Sequence, residues 1–181
     1  MAGIFAPQLN NAGYGLHGDL LETPIERAAN MIQLNITTLT ELTYLFGRDM
    51  AKRRSGHMLL VASLMAFQAV PSYAAYAATK SYVLALGEAL HDELRPHGVI
   101  VTTLCPGHVA TGFEEAAGAT TSALLRLLTM KPRRVAASGI RALLQGKAMV
   151  VAGLSNKMAA FSNRLTPRSM QRATLKRIVD A

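Results

Sequence analysis

Two short apolar runs stand on either side of a long helical pattern, and this order constrains the fold more than any other feature of the chain. The runs are His57–Ala62 and Val99–Cys105, and the second opens with five successive β-branched residues. Between them an alanine-rich helical pattern continues from about Tyr73 to Arg95, where Pro96 can end it. A strand, a helix and a strand in this order favour a parallel sheet covered by helices.

The rest of the chain continues this alternation. Ile4–Leu9 is predicted as a weak first strand, because Pro7 interrupts it. A helical region is expected from Pro24 to about Arg54, with Thr23 as its N-cap. The remaining expected features are a break in that helix near Asn35, a loop-plus-helix region after residue 112, a helix over about Pro132–Gln145 and a short strand near Ala148–Ala152.

Composition restricts the class of protein. A chain of 181 residues can form one domain, and with half its residues apolar it is not a disordered tail protein. Its single cysteine, Cys105, is expected to be a small buried residue and cannot form a disulfide within the chain. We therefore expect a reducing compartment, the cytoplasm. The longest apolar stretch, Met58–Phe67, is too short to span a bilayer.

The charge is distributed unevenly. Residues 1–125 hold seven Lys and Arg against ten Asp and Glu, whereas residues 126–181 hold twelve against one. We therefore predict a basic helical extension over residues 153–181. Its cations could make a weak contact with an anionic membrane, but a solvated helix or a subunit contact is the simpler interpretation. The cations repeat every four residues, at Arg164, Arg168, Arg172 and Lys176. Nucleic acid is not expected as a partner, because no aromatic platform accompanies these cations.

Tyr76 and Lys80 carry the chemistry that the sequence suggests. They are four residues apart on one predicted helix, so an ammonium lies beside a phenol. A free tyrosine titrates near ~10, and bringing it to neutrality requires stabilising the phenolate by roughly 4 kcal/mol, which a cation can partly supply. Such a pair by itself usually indicates a solvated helix face. Ser63 at a strand end, Asn35 and Pro106-Gly107 strengthen the case, because they would meet Tyr76 and Lys80 at one edge of the sheet.

These residues form an ordered set of motifs. The segments are NNAG at Asn10–Gly13, Asn35, Ser63, YAATK at Tyr76–Lys80 and PGHVAT at Pro106–Thr111. In this order and spacing the chain resembles the short-chain dehydrogenase/reductase family over roughly residues 8–152. The resemblance implies an α/β fold with a partial Rossmann-like, doubly wound parallel sheet flanked by helices. This domain is expected over residues 1–152.

The resemblance also implies roles for individual residues. Tyr76 would be the general acid or base, Lys80 would lower its pKa and hold the nicotinamide ribose, and Ser63 would bond the reacting oxygen. Asn35 would position a water that links Lys80 to solvent. The cofactor would be NAD or NADP, with NADP slightly favoured, and the reaction would interconvert an alcohol and a carbonyl. Besides Tyr76 and Lys80, the residues expected to bind the cofactor are Asn11, Ala12, Gly13, Pro106, Gly107, Val109 and Thr111. No metal site is expected.

The substrate and partners follow less directly. Met65, Phe67, Val70 and the stretch 113–130 could line a pocket for a small apolar carbonyl or alcohol, although an ordinary core is the alternative. His108 could face the nicotinamide, but a solvated histidine is the simpler interpretation. The helices around residues 35–54 and 73–95 resemble the family's dimer-forming pair, so a homo-oligomer is expected.

One expected segment has no counterpart. Family members begin with a glycine-rich strand, turn and helix that bind the pyrophosphate, and we find no such unit in this sequence. Gly13-x-Gly15-x-x-Gly18 matches the fingerprint as a string, but no helix start of the required kind follows it. An N-terminally truncated family member is therefore expected. The alternative function is a catalytically silent module that dimerises or binds a partner.

Overall fold

The computed structural model describes residues 7–113, 117–118 and 128–179, and within them four strands form one parallel sheet. The strands lie in the order β1-β2-β3-β4, and each pairs in parallel with the next. Their bounds are Gln8–Asn10 for β1, Gly56–Val61 for β2, Val99–Cys105 for β3 and Met149–Val151 for β4. The parallel α/β sheet that the sequence predicts is confirmed.

Helices connect and follow these strands. The α-helices are α1 Ile25–Ile32, α2 Leu39–Lys52, α3 Ala74–Leu94, α4 Pro132–Leu144, α5 Leu154–Ser162 and α6 Arg168–Val179. A π-helical segment, Gln33–Thr38, joins α1 to α2, and a short 3₁₀ helix, Leu64–Phe67, follows β2. A second 3₁₀ helix, Arg95–His97, follows α3 and precedes β3.

The sheet has a packed core on each face. Successive residues of a strand point to opposite faces, so Met58 and Leu60 of β2 lie in one buried cluster and Leu59 lies in the other. The first cluster includes α2, α3 and Ala160 of α5, and the second includes Leu143 and other residues of α4. Both faces of β2 are therefore buried, as expected for an inner strand of a parallel sheet.

Three sequence expectations need adjustment. Residues 4–6 of the predicted first strand lie outside the described residues, and β1 begins at Gln8, after Pro7. Thr23 does not cap α1, which was a wrong prediction, because its hydroxyl donates instead to the Asp19 carbonyl at 3.0 Å. The break expected near Asn35 is the π-helical segment. Its wider turn contains one extra residue, and the Asn35 side chain is buried there.

No helix in the described part of the chain is long and apolar enough to cross a bilayer. Cys105 is fully buried at the end of β3, as the sequence predicts. The division of the chain at residue 152 remains a prediction.

α3 approaches the sheet closely at Gly87. A Cβ there would overlap the Thr103 hydroxyl of β3 and lie 3.2 Å from a Leu60 methyl group. In contrast, a Cβ at Gly47 of α2 would make an ordinary contact, 3.6 Å from Leu94. Only the absence of a side chain lets α3 pack against β3 at this distance.

Gly87→Ala should therefore destabilise the fold by about 1–3 kcal/mol, as overpacking of a core does. Gly47→Ala is the matched control and should be neutral or stabilising by up to ~1 kcal/mol, because alanine favours a helix. Urea unfolding measures both variants. Adding Thr103→Ala, which removes the overlapping hydroxyl, should restore part of the stability that Gly87→Ala loses. Equal stability of Gly87→Ala and Gly47→Ala would contradict this close packing.

Candidate active site

The site lies where three parallel strands end at the same edge of the sheet. Asn11 to Gly13 follow β1, Ser63 follows β2, and Pro106 follows β3. The Leu64 backbone N–H donates to the Pro106 carbonyl at 2.7 Å, which ties the second strand end to the third. Parallel pairing thus brings together segments that lie far apart in the sequence.

Helix α3 adds Lys80 to this edge. Its ammonium donates to the Val61 carbonyl, the last of β2, at 2.9 Å, and the side chain is 5% exposed. Burial lowers the pKa of Lys80 to about 8, and the Cys105 thiol group partly offsets this shift. Lys80 is therefore a cation that titrates close to neutrality, held at the end of an inner strand.

Tyr76 lies one turn earlier on the same face of α3. Burial raises its pKa to about 12, and a hydrogen bond with the Ser63 side chain acts in the opposite direction. The sequence predicts a pKa lowered toward neutrality by Lys80, and for this state of the protein that is wrong. The Lys80 nitrogen lies 5.8 Å from the centre of the Tyr76 ring, and desolvation of the phenolate dominates. Tyr76 is thus protonated at neutral pH.

Ser63 stands between β2 and the 3₁₀ helix. Its hydroxyl oxygen accepts a hydrogen bond from the Met65 backbone N–H at 3.2 Å and caps that helix. Its contact with Tyr76 leaves the hydroxyl beside the phenol that would meet a substrate. Ser63 and Tyr76 are brought together as the sequence predicts.

Asn35 joins the turn after β1 to α3. Its side-chain nitrogen donates to the Tyr14 carbonyl at 2.9 Å and to the Thr79 hydroxyl at 3.1 Å. Its side-chain oxygen accepts from the Tyr14 backbone N–H at 3.2 Å. Thr79 in turn donates to the Tyr76 carbonyl at 2.8 Å. Asn35 is therefore a positioning residue in this geometry, and a bound water at Asn35 stays a prediction.

Gly13, in the turn after β1, lies against the Asn35 side chain and near Lys80. A Cβ at Gly13 would stand 2.8 Å from the Asn35 side-chain oxygen and 3.6 Å from the Lys80 nitrogen. The turn therefore approaches Asn35 at a distance that a side chain would block, and the Lys80 nitrogen lies next to it. Asn11 and Ala12 precede it and are exposed at the sheet edge, where a cofactor could reach them.

The segment after β3 is anchored on its outer side. Asn156 of α5 packs against Gly107 so closely that a Cβ there would overlap its amide group. His108 is partly buried and bonds the Thr129 hydroxyl through Nδ1 at 2.7 Å, and whether it faces the nicotinamide or solvent stays a prediction. Val109 pairs with Met130, and Thr111 is exposed.

Apolar side chains surround Tyr76. Phe113 lies with its ring centre 5.4 Å from that of Tyr76, and Met65 and Tyr73 pack in the same cluster. Phe67 packs against the main core and Val70 is buried, so the core interpretation holds for these two. Residues 114–116 and 119–127 of the expected pocket wall lie outside the described residues.

Sequence reasoning missed two contributors to this geometry. Thr79 stands within the YAATK motif, and its hydrogen bond with Asn35 could be inferred only once the π-helical segment was known. Asn156 lies 49 residues beyond Gly107, and no local pattern marks their contact.

A family model described as short chain dehydrogenase matches residues 8–122, which include the whole of this site up to Phe113. The chain belongs to the short-chain dehydrogenase family. A curated relative, dehydrogenase/reductase SDR family member 7B of Xenopus laevis, is 26% identical over 174 residues, 92% of this chain and 54% of its own length. The chain spans about half the length, or less, of the first curated relatives that it matches.

Solved structures show the same fold. A 7beta-hydroxysteroid dehydrogenase structure has a TM-score of 0.80 at 20% identity, covering 92% of this chain and 65% of that one. A short-chain dehydrogenase from Sphingobium yanoikuyae in complex with NADPH has a TM-score of 0.75 at 23% identity, covering 87% and 61%. At these identities the likeness concerns the fold alone.

The buried Lys80 ammonium should lower the stability of the short-chain dehydrogenase chain near neutral pH. Because the folded pKa, about 8, is below the ordinary value of 10.5, the unfolded chain binds the proton more tightly. The buried charge therefore lowers the free energy of unfolding by about 3 kcal/mol below pH 8, and this loss disappears between pH 8 and 10.5. Lys80→Met also loses the bond to Val61, about 1 kcal/mol. It should therefore be more stable than the parent by about 2 kcal/mol near neutral pH.

Urea unfolding at neutral pH and near pH 10 measures this difference. The gain should shrink as the pH rises, whereas Lys52→Met, at an exposed position of α2, should change stability little at either pH. A Lys80→Met variant that is less stable than the parent at neutral pH would count against the buried charge.

Proposed function

We propose that this chain performs the proton-transfer part of an NAD(P)-dependent reaction that interconverts an alcohol and a carbonyl. The observation that carries the proposal is the convergence of Tyr76, Ser63 and Lys80 at the carboxyl edge of the sheet. A protonated phenol with a neighbouring hydroxyl suits the delivery of a proton to a carbonyl oxygen. The chain spans about half the length of the Xenopus laevis relative, so we propose the whole reaction for a complete protein of the family and the proton transfer for the residues of this chain.

The residues present fit the nicotinamide half of such a cofactor. An ammonium has three N–H donors, and among the described residues only the Val61 carbonyl accepts from Lys80. Two donors remain for the hydroxyls of a ribose, and Gly13 leaves open the approach to them. When bound, the nicotinamide would supply or accept the hydride. We favour NADP, because a similar structure is a complex with NADPH.

The residues divide the proton chemistry between them. In reduction, Tyr76 donates its phenolic proton to the carbonyl oxygen, while the Ser63 hydroxyl donates a hydrogen bond to that oxygen as its negative charge develops. The tyrosinate that remains is stabilised by the Lys80 ammonium on the same face of α3. In oxidation the same tyrosinate accepts the proton of the alcohol. A pKa of about 12 for Tyr76 favours its role as the acid.

An apolar substrate agrees with the walls of the site. Phe113, Met65 and Tyr73 surround the phenol, and in the described part of the chain they bring no charged group to it. A hydroxysteroid dehydrogenase among the similar structures agrees with this class of substrate. We propose a small apolar ketone or secondary alcohol.

A homo-oligomer and a cytoplasmic location are further parts of the proposal. Apolar side chains on α2 and α3 are exposed in the single chain, which is typical of a subunit contact. They are Leu42, Tyr44, Leu45, Phe46 and Tyr82. The free, buried thiol of Cys105 suits a reducing compartment.

Tyr76→Phe tests the proposal by removing the proton donor while keeping the ring. With NADPH and an apolar aryl ketone, kcat should fall by roughly 100-fold or more, because general acid catalysis is lost. The KM for the ketone should change little, since the packing of Phe113 on the ring is kept. Absorbance of NADPH measures turnover, and nucleotide fluorescence measures binding.

Tyr82→Phe is the matched control, because its hydroxyl bonds Thr40 away from the site, and it should retain full activity. Equal loss in both variants, or full activity of Tyr76→Phe, would refute the role of Tyr76. A parent chain that neither binds NADPH nor turns over would favour the silent module.

A further inference from the structure

Helix α5 carries an apolar stripe that is exposed in the described part of the chain. Three large side chains spaced four and three residues apart share one side of α5, and a fourth follows in the turn directly after the helix. They are Leu154, Met158, Phe161 and Leu165, with exposed fractions of 76%, 67%, 61% and 74%. Asn156 and Ala160 pack inward, so the face that should be polar in a solvated surface helix is apolar here. We call these four residues the α5 stripe.

Cations border the α5 stripe. Lys147, Lys157 and Arg164 line an open cavity of about 310 Å³ beside β4, together with Phe161 of the stripe and Phe67. Within the described ranges no carboxylate lies at salt-bridge distance from these three cations. The cavity therefore combines an apolar floor with a positive rim that no described carboxylate compensates.

The charge argues against a second copy of this chain as the occupant. A two-fold contact places a surface patch against itself, so the cations of one copy would face those of the other. Residues 126–181 contain one acidic residue against twelve basic ones, which leaves little to balance them. Like charges opposed in an interface disfavour association, so the face requires a partner of negative charge.

An anionic lipid surface satisfies both properties. Apolar side chains on one side of a helix enter the boundary between headgroups and acyl chains, and the adjacent Lys and Arg meet the lipid phosphates. We propose that the α5 stripe, with Lys157 and Arg164 beside it, docks this chain on an anionic bilayer. The cavity beside β4 then receives one lipid headgroup between Lys147, Lys157 and Arg164.

This assignment moves the membrane contact that the sequence suggests. The sequence places it on the basic helix, which is α6, but the described side chains of α6 offer a single exposed large apolar residue, Met170. α5 provides the apolar surface, and Arg168, Arg172 and Lys176 of α6 add positive charge beyond it.

Vesicle sedimentation tests the proposal with the whole chain. The parent should bind vesicles with about 30% phosphatidylserine and should not bind pure phosphatidylcholine. Lys157→Gln/Arg164→Gln should lower the partition coefficient roughly 30-fold, because each basic residue near an anionic surface contributes a factor of about 5. Met158→Ser/Leu165→Ser should lower it roughly 100-fold through lost apolar burial. These four residues are exposed, so the substitutions leave the core intact.

Two control variants carry the same chemical changes elsewhere. Arg27→Gln/Lys52→Gln removes two exposed cations, and Leu21→Ser/Ile25→Ser removes two exposed apolar side chains. Both should bind within about twofold of the parent, since neither pair lies in the basic C-terminal part of the chain. Losses equal to those of the α5 variants would overturn the proposal. Failure of the parent chain to bind anionic vesicles would also overturn it. A parent chain that forms a dimer, which Met158→Ser/Leu165→Ser dissociates, would do the same.

Discussion

The hydrogen bond from the Lys80 ammonium to the Val61 carbonyl, 2.9 Å long, is the contact on which the site depends. It joins helix α3 to the last residue of an inner strand, at the edge where three parallel strands end. Because α3 packs against β3 at Gly87, the helix is held along its length and its first turns project over this edge. Tyr76 therefore lies beside Ser63, and Lys80 lies one turn further along the same helix.

Burial then determines the protonation of this pair. The pKa of Tyr76 is raised to about 12 and that of Lys80 is lowered to about 8, and desolvation is the main cause of both shifts. Each group is thus shifted toward its neutral form, which keeps the phenolic proton in place. The uncharged phenol is suited to reduction, whereas oxidation requires additional stabilisation of the phenolate.

The sequence predicts the elements whose signals are local. The apolar runs at β2 and β3 and the alanine-rich α3 are found within one or two residues of their predicted bounds, and Ser63 meets Tyr76 as the motif implies. The missed features depend on side-chain contacts that no sequence pattern marks. The Thr23 hydroxyl donates to the Asp19 carbonyl four residues earlier, and His108 bonds Thr129, 21 residues further along the chain. The predicted lowering of the Tyr76 pKa was wrong for a related reason. Burial of the phenol outweighs the nearby charge, and burial cannot be inferred from the spacing of two residues.

A titration of Lys80 tests the central claim most directly. The carbon next to the ammonium can be followed by NMR as the pH rises, with Lys80→Met used to assign its signal. The structure predicts a midpoint at about pH 8, because the ammonium is buried at the end of β2. A midpoint near the ordinary lysine value of 10.5 would show that the ammonium is solvated, and would contradict the geometry from which the proposed chemistry is derived.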